Sequence, residues 1–171
     1  LDHDSYSLSL KNNNISHLPP TIANYYHITY LQLSHNSLQS IPKELSKLNQ
    51  LVEIDLSFNQ LNTLEIKFNN FSNLNKINLS NNNFYEIPKC LCVAPNIKDL
   101  NIDNNQIDTI PSYISQFSNL ESLSIKNNQL FKIEDSIEKL QNLNILNLAQ
   151  NNLVSIPETF CSLEESLFVF S

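Results

Sequence analysis

A step of 23 residues constrains this chain more than anything else in it. Aligned on Ser5, Ile28, Leu51, Leu74, Ile97, Leu120 and Leu143, seven segments fall into register with no insertion across residues 5–165. Self-similarity at such a period marks a solenoid, in which each unit packs only on its neighbours. The fourth position of each unit is Leu8, Leu31, Ile54, Ile77, Leu100, Leu123 and Leu146, and the sixth is Leu10, Leu33, Leu56, Leu79, Ile102, Ile125 and Leu148. Apolar residues two apart point to one side of a short strand. Four more apolar columns follow, beginning at Ile15, Leu18, Ile22 and Tyr25, and they describe a segment that turns back over the strand. One unit cannot bury these residues alone, whereas stacked units share a continuous core.

The ninth position is Asn without exception: Asn13, Asn36, Asn59, Asn82, Asn105, Asn128 and Asn151. Where a strand turns inward its backbone groups lose their partners. A buried amide supplies both a donor and an acceptor to replace them. These residues are therefore expected to form a structural ladder along the solenoid. The returning segment carries Pro19, Pro42, Pro88, Pro111 and Pro157, with Glu65 and Glu134 in the same slot of the third and sixth units. Apolar residues three apart after a Pro at the first turn suit a short 3₁₀ or α turn. The longest is expected in the sixth unit, where acidic residues lead and Lys139 follows.

The 171 residues suffice for one domain, divided into units 5–27, 28–50, 51–73, 74–96, 97–119, 120–142 and 143–165. The start of an eighth is expected at 166–171, where Leu167-Phe-Val-Phe170 has the pattern of an opening strand. The natural protein is therefore expected to continue past Ser171. Residues 1–4 are too short to cap the other end. Gly is absent and Asn occurs 28 times, so Asn is expected at the tight corners that Gly usually takes. A net charge of −7 argues against nucleic acid and anionic membrane as main partners. No apolar run approaches the roughly 20 residues of a membrane span. Cys90, Cys92 and Cys161 form no disulfide framework, which points to a reducing, cytoplasmic setting.

The tandem pattern L-x-x-L-x-L-x-x-N-x-L-x-x-I-P-x-x-I-x-x-L resembles the intracellular class of leucine-rich repeats. The resemblance covers nearly the whole chain. It implies a right-handed, curved α/β solenoid with a parallel sheet on the concave face and short 3₁₀ or α turns on the convex face. Such arrays occur in Ras-binding scaffolds, fungal-type adenylate cyclases, protist phosphatases and Roco kinases, and spirochaete repeat proteins. The resemblance therefore implies a protein-recognition module, often a regulatory segment of a larger signalling protein, with a small GTPase among the candidate partners. The alternative is a free-standing scaffold or secreted effector that binds a host protein.

No reaction chemistry is written on the pattern. His3, His17, His27 and His35 fall in different columns with no paired nucleophile. Cys90-x-Cys92 lacks zinc spacing. Asp99-x-Asn101-x-Asp103 opens like a calcium loop, but Asn104 stands where Gly is needed and Ile110 where Glu is needed. No cofactor is implied. What remains is surface. Strand positions three and five should face away from the core, and positions seven and eight should border the same face. The candidate partner-binding residues there are Tyr30, Gln32, Glu53, Asp55, Phe58, Lys76, Asn78, Asp99, Asn101, Asp103 and Lys126. Phe58 and Tyr30 are the expected aromatic anchors. Glu53, Lys76 and Asp99 should be cross-strand neighbours that partly pair.

Overall fold

A computed structural model describes residues 6–163 and 169–170. The strands recur at the expected step: β1 (Ser7–Ser9), β2 (Tyr30–Gln32), β3 (Glu53–Asp55), β4 (Lys76–Asn78) and β5 (Asp99–Asn101). After β6 (Thr109–Ile110) come β7 (Ser122–Ser124), β8 (Lys132–Ile133), β9 (Ile145–Asn147) and β10 (Val169–Phe170). Eight of these form one parallel sheet in the order β1-β2-β3-β4-β5-β7-β9-β10. Its register pairs like with like: Leu31 lies opposite Ile54, Ile54 opposite Ile77, and Ile77 opposite Leu100. The apolar columns are therefore stacked rows in space. Leu33, Leu56, Leu79, Ile102 and Ile125 are essentially inaccessible. With the returning residues Leu45, Phe68, Leu91, Ile114 and Ile137 they make one continuous core.

The turns on the opposite side are all 3₁₀ among the described residues, each three to six residues long. Pro sits one place earlier than expected. Pro42, Pro88 and Pro111 are extended residues just before the turn, not its first residue. Their carbonyls accept the first turn bond, as in Leu45 N–H to Pro42 at 3.0 Å. That job needs a carbonyl and an extended backbone, which Pro favours and Glu134 also supplies. The sixth unit does not hold the longest turn. Asp135–Lys139 has five residues, and Pro20–Tyr25 and Glu158–Leu163 have six each. Acidic leads and a trailing Lys act on the ends of a turn, and they did not lengthen it here. The third unit departs most, because its turn is reduced to Phe68–Asn70.

One pairing was not anticipated, and another falls where an eighth opening strand was expected. β6 and β8 pair in parallel as a second, two-stranded sheet on the returning side. β10 pairs with β9, Val169 opposite Ile145 and Phe170 opposite Leu146, which continues the main sheet. Leu1 to Ser5, with His3, and the stretch 164–168 lie outside the described residues.

Candidate functional site

The outward face of the sheet is built by strand alternation. In β2 to β5 the middle residue of each strand is buried, and the flanking residues at positions three and five point outward. Position three runs Tyr30, Glu53, Lys76, Asp99 along adjacent strands. Lys76 Nζ leans to Glu53 Oε1 at 3.8 Å, a solvent-exposed pair worth at most about 1 kcal/mol. The expected sharing with Asp99 is absent, since no ion pair joins Lys76 to Asp99 among the described residues. Among the described residues none of these four side chains bonds the backbone.

Position five behaves differently. Asp55 Oδ1 accepts from the Ser57 N–H at 3.0 Å and the Ser57 hydroxyl at 2.7 Å. Asn78 Oδ1 accepts from the Ser80 N–H, Asn101 Oδ1 from the Asp103 N–H, and Asn147 Oδ1 from the Ala149 N–H. Each is an Asx turn that ends the strand. The unit with Ser124 at this position has no such carboxylate or amide. Asp103 of the preceding unit reaches across instead, and its Oδ1 accepts from the Lys126 N–H at 2.7 Å and the Ser124 hydroxyl at 2.6 Å. Four of the candidate partner-binding residues, Asp55, Asn78, Asn101 and Asp103, thus already have work in the fold. Gln32 has the wrong length for an Asx turn, and Lys126 keeps an exposed side chain.

Position eight, on the rim, takes a left-handed backbone in every unit. Asn12, His35, Phe58, Asn81, Asn104, Asn127 and Gln150 have φ between 53° and 58°. Asn is the natural substitute for the missing Gly, but a bulky ring there is an outlier. Phe58 is 44% exposed, and its ring stacks on His35 at 4.0 Å and 12°. The turn that follows is held by the ladder. Asn82 Oδ1 accepts from the Leu61 N–H of the preceding unit at 2.9 Å, while Nδ2 donates to Leu56 and Leu79 carbonyls at 3.0 Å. Asn36, Asn59, Asn105, Asn128 and Asn151 repeat the pattern. Among the described residues the Asn13 side chain bonds only within its own unit, to Leu10 and Lys11, and is exposed.

The returning side holds the thiols. Cys90 donates to the Leu64 carbonyl at 3.2 Å. Burial pushes Cys90 up to about 11, and burial plus the neighbouring Cys90 does the same to Cys92. A thiol held that high is a poor nucleophile at neutral pH. Burial likewise pushes Tyr113 up to about 12, and its hydroxyl donates to the Ile87 carbonyl at 2.6 Å. Among the described residues no group of three or more His, Cys, Asp or Glu could hold a metal ion. Nor is any helix among them long and apolar enough to cross a membrane.

Residues 6–61 and 118–168 match a family model described as leucine rich repeat, and 73–93 and 96–117 match a second of the same description. This chain belongs to the leucine-rich-repeat family. Leucine-rich-repeat proteins generally mediate protein–protein interaction, and the fold is typically a non-catalytic module. A leucine-rich-repeat protein of Leptospira interrogans superposes with a TM-score of 0.73 at 26% identity, over 92% of this chain and 46% of its own. The chain thus spans about half the length of that relative. Internalin C2 of Listeria monocytogenes superposes with a TM-score of 0.78 at 27% identity, over 97% of this chain and 70% of its own. No curated protein matches the sequence.

Proposed function

We propose that this leucine-rich-repeat domain is a non-catalytic recognition module whose protein partner docks on the concave sheet face. One observation carries the proposal. Tyr30, Glu53, Lys76 and Asp99 stand side by side on four adjacent strands, vary in chemistry, and bond no backbone group among the described residues. Residues released from folding duty can be selected for a partner, and aromatic anchors supply a disproportionate share of interface energy. The wider reading is a regulatory segment of a larger intracellular signalling protein, supported by the three free thiols, which suit a reducing compartment.

The test replaces Tyr30→Ala and Asp99→Lys together. Partners cross-linked to the wild-type domain in cells are identified by mass spectrometry and compared with those of the variant. The expected result is loss of a partner at an unchanged melting midpoint. Unaltered capture by the double variant overturns a concave-face site.

The superposition on a bacterial repeat protein over 97% of this chain favours a second reading, a free-standing repeat protein acting on a host protein. Recovery of the protein from culture supernatant would support it.

A further inference from the structure

Phe58 occupies the one kind of position in this fold that suits an aromatic ring least. The left-handed backbone at position eight is tolerated by Gly and, next best, by Asn, which fills the place in Asn12, Asn81, Asn104 and Asn127. Phe58 adopts it at φ 53°, remains 44% exposed, and lies outside the buried core. Its contact is with another exposed ring, His35, parallel and 4.0 Å away. The two make a flat aromatic plate on the rim of the sheet. The groups nearest in register are polar. Asp55, three residues before Phe58, uses only Oδ1, for Ser57. Asn81, next in the column after Phe58, makes no side-chain hydrogen bond among the described residues, unlike Asn104 and Asn127, which bond each other at 2.6 Å.

We propose that this plate, with the second oxygen of Asp55 and the amide of Asn81, receives an arginine side chain of the partner. The inference deepens the function proposed above and rests on that reading. A leucine or phenylalanine anchor needs an enclosed apolar pocket, and the rim offers an open, flat surface among acceptors. Guanidinium is flat, weakly hydrated and stacks on ring faces, and its several N–H donors in one plane suit two separate acceptors such as the free Asp55 oxygen and the Asn81 amide oxygen. The compact, strongly hydrated ammonium of lysine fits neither the shape nor the planar set of donors. The chain's net charge of −7 favours a basic partner segment over an acidic one.

The experiment titrates the chain with hexa-arginine and with hexa-lysine at matched ionic strength and follows the ring resonances of His35 and Phe58 by NMR. Hexa-arginine is expected to shift both rings saturably and to bind roughly fivefold tighter than hexa-lysine. Phe58→Asn is expected to melt higher than wild type, because Asn relieves the backbone strain, and to bind the two peptides equally. Equal affinities in the wild type, an arginine preference that survives in Phe58→Asn, or unmoved ring signals would each overturn the inference. These outcomes leave the concave-face reading standing, since that reading is decided by the Tyr30 and Asp99 variant.

Discussion

Positions three and five of each strand face the same way, two residues apart, yet the fold treats them differently. Asp55, Asn78 and Asn101 at position five each tie down the strand end through an Asx turn. Tyr30, Glu53, Lys76 and Asp99 at position three hold nothing in the backbone. Sharing a face therefore does not mean sharing a role. A surface residue two places from a turn is recruited by the turn, and one four places away is left without a backbone duty. Asp103 sharpens the contrast, because it took over a turn duty that Ser124 could not perform.

Five substitutions would break or sharpen this division. The largest effect is expected in the ladder that lies behind both columns. Asn82→Ala strands the Leu61 N–H and leaves the Leu56 and Leu79 carbonyls only their bonds from Asn59 and Asn105, and should lower stability in urea unfolding by about 2 kcal/mol. Asn13→Ala, which serves only its own unit in solvent, should cost less than about 1 kcal/mol. A near-equal pair of values would show that bonding between units is not what the ladder contributes. Next comes Asp55→Ala, expected to cost about 1.5 kcal/mol through the freed Ser57 N–H and hydroxyl. Glu53→Ala, on the same strand and face, should stay within about 0.5 kcal/mol of wild type. If Glu53→Ala proves the costlier of the two, the division of labour is wrong. The smallest effect belongs to Lys76→Ala. It removes only the exposed pair with Glu53, and its cost should stay under about 0.5 kcal/mol and vanish in molar salt.

The repeating frame was legible because it repeats. Seven aligned copies expose the buried columns, and an Asn that never varies announces a backbone duty. The rim was half legible. A chain without Gly but rich in Asn says that Asn takes the tight corners, and Asn81, Asn104 and Asn127 do so. His35 and Phe58 hid the column, since neither residue type signals a left-handed backbone. Asp103 was illegible for another reason. Its oxygen serves Lys126, 23 residues later, and a contact between units has no signature inside either one. The Asx turns could have been found, because Asp or Asn closing a strand, two places before the N–H it binds, is a local signal, as at Asp55 and Asn78. Partner chemistry outweighed it in choosing those residues. The turn lengths depend on how neighbouring turns stack, which no single unit reveals.

The ladder also gives the stack a direction. Every rung from Asn36 to Asn151 reaches backward, completing groups in the unit before it. Units are thus fastened like roof tiles, each held down by the one laid after it. Stripping tiles from the N-terminal edge bares an amide to solvent, the exposure Asn13 already has. Stripping them from the other edge bares the Leu130 N–H, which Asn151 had closed. Shortened versions of this domain should therefore tolerate loss from the front better than equal loss from the back.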